Sequence, residues 1–491
     1  MVRASTSSNC FHAVSYNILA KSLGTNTIPW LMNVSPSIRF RIEESTSLPF
    51  HVWVDDVLKT EYLRHFHKNF NSGNYATMRG FWGVPSCDSP ADIPKELSRI
   101  SWCGEDRVSY TLKGDEGEEE KIVATTLKGI ARQSLPNNVF EEFFEEVISA
   151  EKEIYSWPVR GPRIFQQLTN MQQGGNRIVP DIIALSEYDC HTVNADYRQL
   201  GKSETFADAM AATGYDGIFF KDPLLGREPP SGLGLFWNKD VFSTVSGLGG
   251  IKDIECNKNA FRGDASNRDL NEKWHPIKKL KDDDSNYSQP KLMKASDRRN
   301  AGLVRLLHKP TGRTLAVCTT HLMTTSRDNS KTNKYPGEVR AGELVEICQI
   351  ISEKAGANDG IILMGDFNTD ARLCKKIFGG KIPKIVQSDD GGPGILEFDT
   401  GFDTETNSFS LGNSRQLVDS FSEIHQWGDG VGEGKHCTSR NAERIEWIDY
   451  IFHDKNLRTI DRSNCYTPKG NIPDTKNPSD HLPLVATFEF I

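Results

Sequence analysis

The sequence has no Cys-x-x-Cys pair, although ten cysteines are spread through its 491 residues. That excludes a readable zinc site and a disulfide framework, so reduced thiols in a cytoplasmic or nuclear compartment are expected. No apolar run approaches the roughly 20 residues of a membrane-spanning helix, so no membrane span is expected. Residues 1–10 lack the apolar stretch of a leader and are expected to be a flexible N-terminus, with no room for a removable signal before the strand-like run at Phe11. Positive charge is not in excess: the formal net charge is −8. A protein that grips duplex nucleic acid by neutralising phosphates shows a basic face, so that class is disfavoured, whereas a nuclease with a narrow basic cleft is not. There is no Ser or Cys nucleophile motif and no internal repeat, so the sequence gives no sign of a covalent intermediate or a solenoid.

Four short segments carry chemistry. Gly365-Asp366-Phe367-Asn368 follows the apolar run Ile361-Ile362-Leu363-Met364 and places an acid and an amide at a strand end. In an extended segment residues two apart share a face, so Asp366 and Asn368 are expected to address one group. Asp181-Ile182-Ile183-Ala184-Leu185-Ser186-Glu187 has the length of a strand buried on both faces and ends in a carboxylate. Thr319-Thr320-His321-Leu322 closes a third apolar run, and Ser479-Asp480-His481-Leu482 leads into a final strand over 484–490. Each segment also has a purely structural reading: Asp480 as a turn cap, His321 and His481 as satisfied core histidines, Glu187 as a solvated strand end.

In this order the four segments resemble the endonuclease/exonuclease/phosphatase superfamily. Ser15-Tyr16-Asn17-Ile18-Leu19, the helix start Trp157-Pro158-Val159-Arg160 and Trp447-Ile448-Asp449-Tyr450-Ile451-Phe452 are similar to the branch of CCR-type deadenylases, nocturnin and angel proteins. The likeness covers residues 11–20 and, with gaps, 155–491. It implies a deoxyribonuclease I-like fold, a four-layer α/β sandwich with two packed mixed β-sheets flanked by helices. It further implies one catalytic domain over 11–491 with residues 21–155 as a large insertion, although the length alone allows two or three domains.

The resemblance also implies roles. Glu187 supplies oxygen to a divalent ion, and an oxygen donor set selects magnesium, with manganese as substitute. Asp480 joins the metal's surroundings, and Asp449 holds the ring of His481, the imidazole for proton transfer or phosphate binding. Asp366 orients or deprotonates water. Asn17 and Asn368 donate to phosphoryl oxygen or position the carboxylates, and His321 adds a donor on the phosphate. Two departures stand out. Where the deadenylase branch has a Phe that stacks on a base, this chain has Arg444, a residue able to stack or to bind a phosphate, with Arg440 as a second cation nearby. The acidic strand end reads Leu-Ser-Glu instead of Leu-Gln-Glu, which removes a polar neighbour of Glu187.

Elsewhere, helices are expected over 138–148 with Asn137 or Asn138 as cap, near 205–210, and over 338–353 with Leu344, Ile347, Ile350 and Ile351 buried. Asp115–Glu120 reads as an exposed acidic loop, and 275–281 and 297–300 as basic clusters. Three functions fit: a magnesium-dependent phosphodiesterase acting on single-stranded RNA 3′ ends or a nucleotide, another metal phosphoesterase of the same fold (inositol-phosphate, phospholipid or abasic-site), or a non-catalytic binding module.

Overall fold

The computed structural model describes residues 9–19, 33–61, 106–113, 119–173, 176–188, 194–198, 204–221, 232–245, 301–322, 340, 343–344, 347–348, 351–369, 381–387, 393–399, 402–403, 408–412, 415–422, 437–441, 445–463, 468 and 470–491. The chain divides into two compact units, Met1–Ala20 with Gly161–Ile491, and Lys21–Arg160. Arg444, Ile350, the acidic stretch 114–118 and both basic clusters lie outside the described residues.

The larger unit is built on the strands β1 (Cys10–Asn17), β2 (Ile182–Ser186), β3 (Tyr215–Lys221), β4 (Gly232–Asn238), β5 (Phe242–Thr244), β6 (Ala301–His308), β7 (Arg313–His321), β8 (Gly360–Asp366), β9 (Phe402–Asp403), β10 (Ser408–Gly412), β11 (Arg415–Asp419), β12 (Asp449–Asp454), β13 (Leu457–Arg462) and β14 (Leu484–Phe490). Six of them form one sheet in the order β13-β14-β1-β2-β4-β3, and eight form another in the order β5-β6-β7-β8-β12-β11-β10-β9. Both sheets are mixed. Among the described strands, each has one parallel pair, β1 with β2 and β7 with β8. Parallel pairing points two C-terminal strand ends the same way, and these are the strands that lead into Asn17, Glu187, His321 and Asp366. All residues of β2 and β8 are buried, as their continuous β-branched and aliphatic runs require of central strands.

The sheets pack face to face. Phe11, Ala13, Ile182 and Ala184 from the first share one buried cluster with Leu315, Val317, Ile362 and Met364 from the second. Phe11 meets Phe242 edge-on at 5.4 Å, and His453 lies 5.4 Å from Phe488. Helices cover the outer faces. Phe206–Ala212, begun by a Thr205/Asp208 capping box, sets Phe206 against Phe236 of β4 at 6.1 Å. The described residues between 340 and 354 are helical, with Leu344, Ile347 and Ile351 buried as their spacing predicts. Cys348 of this helix and Cys318 of β7 are both buried. Burial pushes the Cys348 thiol up to about 12, and burial with the neighbouring Cys348 pushes Cys318 higher, so both stay inert thiols.

At the N-terminal end of β8 the chain is fastened by charge. Asp359 accepts from Arg305 Nε at 2.6 Å and Nη2 at 3.0 Å, from the Gly356 N–H at 2.7 Å and from the Thr314 hydroxyl. Burial works against this carboxylate, but the Arg305, Thr314 and Gly356 donors and the Arg305 charge outweigh it and hold its pKa below the ordinary 3.8. A depressed folded-state pKa stabilises above the unfolded value, and the contribution is lost as pH falls through the folded value. Unfolding followed by circular dichroism across pH 2–6 is therefore expected to lose stability below about pH 4, and Asp359→Asn to flatten that loss; an unchanged acid limb in the variant would refute the assignment.

In the unit Lys21–Arg160, helix Pro36–Thr46 is capped by Ser35, whose hydroxyl accepts from the Ile38 N–H at 3.4 Å. Helix Asn137–Ala150 buries Val139, Phe140, Phe143 and Val147, and Trp53 stands edge-on to Phe143. The expected Asn cap is not used. Pro136, which has no N–H to satisfy and a φ already near helical values, takes the position before the first turn, and Asn137 is already helical. The acidic loop is also shorter than expected, because Glu119–Thr125 is a strand paired with Arg107–Lys113. The β-branched residues that follow the two glutamates extend the hairpin back to Glu119.

Candidate active site

Two sheets meet at one end of the sandwich, and the polar side chains sit on adjoining strand ends. His321 and Asp366 are register partners across β7 and β8, and Asp366 faces Asp449 across β8 and β12. Three chemically active residues therefore lie in one row across the sheet, contributed by three strands. From the other sheet come Asn17, the last residue of β1, and Glu187, which follows β2 with a φ of 55°. That left-handed conformation is uncommon for a non-glycine residue; it turns the chain out of the strand immediately after Ser186.

Asn17 joins the two halves. Its Nδ2 donates to Asp366 Oδ2 at 2.9 Å and to Glu187 Oε1 at 3.3 Å, while its Oδ1 accepts from the Leu19 N–H at 2.9 Å. The segment before β14 is docked on the same strand end, with Ser479 Oγ donating to the Asn17 carbonyl at 2.7 Å. It also pairs with Ser439 through a bridge to His481. His481 Nδ1 lies 2.7 Å from Asp449 Oδ2, and its Nε2 is 3.8 Å from Asp366 Oδ2 and 3.9 Å from Asp480 Oδ1. His321 Nε2 is 3.7 Å from the same Asp366 oxygen. Burial opposes charge on His481, but Asp449, Asp480 and Asp366 together outweigh it and raise its pKa to about 9, so the ring is an imidazolium at neutral pH.

Asn368 is placed differently from expectation. The strand ends at Asp366, Asn368 has a φ of 48°, and the alternation that would put both side chains on one face stops. Its backbone N–H donates to Asp366 Oδ1 at 2.7 Å, and its Nδ2 donates to the Leu322 carbonyl at 2.8 Å. The amide thus braces Asp366 and ties its loop to the His321 loop. Asp480 is buried, with Oδ2 accepting from Asn441 Nδ2 at 3.2 Å. Asn441 was not singled out in the sequence, nor was Thr438, whose hydroxyl accepts from the Ile448 and Asp449 N–H groups at 2.9 and 3.0 Å. Both lie in a polar stretch with no periodicity, and the available signal was only a Thr-Ser-Arg-Asn run shortly before the Asp449 strand.

The profile of the endonuclease/exonuclease/phosphatase family matches residues 164–481, well over half of the chain. The chain belongs to this family. The matched stretch contains Glu187, His321, Asp366, Asn368, Asp449, Asp480 and His481; Asn17 precedes it and reaches the site through the pairing of β1 with β2. No curated protein sequence matches. Among solved structures, the human nocturnin catalytic domain with bound sulfate is similar at 19% identity, covering 68% of this chain and 88% of that one with a TM-score of 0.38. ANGEL2, described as a 2′,3′-cyclic phosphatase and bound to adenosine-2′,3′-vanadate, is similar at 18% identity, covering 68% and 87% with a TM-score of 0.43. A Bacteroides thetaiotaomicron mannosyl-6-phosphatase is similar at 17% identity, covering 68% and 92% with a TM-score of 0.36. The two packed mixed sheets flanked by helices are the deoxyribonuclease I-like sandwich of this family.

The donor set fits a cation. Asp366, Asp449 and His481 offer atoms within 4.8 Å of one another, and Asp449 Oδ1 is buried with no hydrogen-bond partner among the described residues. The facing atoms of Asp449 and His481 are already spent on each other, however. The half-buried Glu187, linked to Asp366 through Asn17, adds a carboxylate to this set. Gathering three carboxylates around one imidazolium, with Glu187 joined to Asp366 through Asn17, leaves a surplus of negative charge that a hard divalent ion offsets.

Proposed function

We propose that this protein is a divalent-metal-dependent phosphodiesterase acting on single-stranded RNA 3′ ends, as a deadenylase-like exonuclease, or on a small nucleotide. The observation that carries the reading is the unbroken line of polar contacts from Glu187 through Asn17 and Asp366 to His481 and Asp449. On this reading residues 11–491 are the catalytic domain and 21–155 are inserted in it. Glu187, with Asp480 close by, holds magnesium, or manganese in its place. The chemistry such an ion supplies when bound is polarisation of a non-bridging phosphoryl oxygen and neutralisation of charge in the transition state.

The chain's own residues do the rest. Asp366 has one oxygen fixed by the Asn368 N–H and the other by Asn17 Nδ2, so its lone pairs are directed and it orients or deprotonates the attacking water. His481, with Nδ1 engaged by Asp449, presents Nε2–H to a phosphoryl oxygen, and His321 adds a second donor beside it. Arg444 in the place of an aromatic favours contact with a phosphate over base stacking.

A panel assay tests the proposal. Purified protein with Mg2+ is expected to release nucleotides from oligo(A) or mixed RNA, or to cleave a dinucleotide, and to leave abasic duplex DNA and phosphoinositides intact. Hydrolysis confined to the last two substrates would move the protein to another branch of the family. Inactivity on the whole panel would favour a binding module.

A further inference from the structure

Three chain segments that deliver site residues converge on one backbone oxygen. The carbonyl of Thr320, the residue before His321, accepts from Ser186 Oγ at 3.4 Å, and Ser186 is the residue before Glu187. The same carbonyl crowds Gly365, the residue before Asp366, so closely that a Cβ there would overlap it. Ser186 is buried and continues the face of β2 on which Ile182 and Ala184 meet the opposite sheet. Its hydroxyl therefore crosses from the six-stranded to the eight-stranded sheet directly beneath the site. Within its own sheet the Glu187 corner is held by two backbone bonds, Ile18 N–H to the Ser186 carbonyl at 3.2 Å and Tyr188 N–H to the Gly232 carbonyl at 3.0 Å, and by Asn17 Nδ2 on Glu187 Oε1 at 3.3 Å.

We infer that Ser186 is a positioning residue, a tether between the sheets that sets the separation of Glu187 from Asp366 and His321 and thereby tunes the affinity of the metal site. The inference rests on the proposed role of Glu187. The bond is long for a hydroxyl donor, so its importance lies in where it is made. Glu187 sits in a left-handed conformation that persists only while its surroundings hold it, and the tether is attached one residue away. A serine is short enough to reach the Thr320 carbonyl from the face of β2, whereas a longer polar side chain would carry its donor farther out. On this account the Leu-Ser-Glu wording redirects the polar neighbour of Glu187 from the carboxylate to the opposite sheet.

The test titrates the intact protein with Mg2+ alone by isothermal titration calorimetry, with circular dichroism to confirm folding. Ser186→Ala and Ser186→Val are expected to raise the Mg2+ dissociation constant about tenfold, while Ser186→Thr, which has the shape of Val but keeps the hydroxyl, stays within about twofold of wild type. Glu187→Gln serves as the control and is expected to lose most of the binding. Equal affinities for the Thr and Val variants would overturn the tether while leaving the metal site standing, provided Glu187→Gln still loses binding. Wild-type affinity in Glu187→Gln would overturn the metal role of Glu187 and the tether together.

Discussion

Asp366→Asn is expected to lower turnover by about 10³-fold or more at saturating Mg2+ while leaving the circular dichroism spectrum unchanged. The replacement is nearly isosteric and keeps one acceptor oxygen, so one of the Asn17 and Asn368 donors that clasp the side chain retains its partner. What it removes is the basicity directed at water and one of the charges that keep His481 protonated. Glu187→Gln should show a similar loss, partly relieved by raising the metal concentration, because the role proposed for it is to hold the ion. Single-turnover hydrolysis across a Mg2+ series separates the two. Wild-type rates in either variant would remove that residue from the machinery. Since Glu187 and Asp366 are like charges joined through Asn17, Glu187→Gln is also expected to be at least as stable as wild type.

The second large effect is structural. Gly365 has a φ of 150°, and a Cβ there would collide with the Thr320 carbonyl, a backbone atom that has no rotamer to escape into. Gly365→Ala is therefore expected to cost about 3 kcal/mol or more, the sum of backbone strain and forced separation of two paired strands. Gly312 provides the control. Its φ is 68° but nothing stands within 4 Å of its would-be Cβ, so Gly312→Ala should cost only about 1 kcal/mol. Urea denaturation of both variants checks the comparison, and equal losses would show that close approach at Gly365 is not what the fold requires there. Because Thr320 and Gly365 precede His321 and Asp366, the Gly365 variant should also lose activity even under conditions where it remains folded.

Some of this was legible before any coordinates. The runs over 182–185, 315–318 and 361–364 are apolar on both faces and end abruptly in polar residues, and the final strand over 484–490 follows a polar segment, which is how central strands that deliver a site must look. The hydrogen bond between His481 and Asp449 joins residues that the family resemblance had paired, even though 32 positions separate them. Other features were hidden for physical reasons. The alternation rule that placed Asp366 and Asn368 side by side holds only while the chain is extended, and it turns left-handed at Asn368. Asn441 and Thr438 act through local hydrogen bonds from a segment where no periodicity marks which polar side chains point inward. Ser186 read as the loss of a polar neighbour because a sequence does not say which sheet lies opposite a given strand face.

The pairing of β1 with β14 brings together His12 and Thr487, which are 475 positions apart, and the bond from Ser479 to the Asn17 carbonyl closes a loop of nearly the same length. Contacts of such long range form late, since the entropy of closing the chain must be overcome before they return any energy. Asn17 and His481 therefore reach Asp366 only when folding is all but complete. A partly folded or truncated chain would hold Asn17, Asp366 and His481 apart and be silent. For an enzyme fold of the phosphoesterase kind, the order of assembly is itself a safeguard: competence for the chemistry and completion of the fold arrive together.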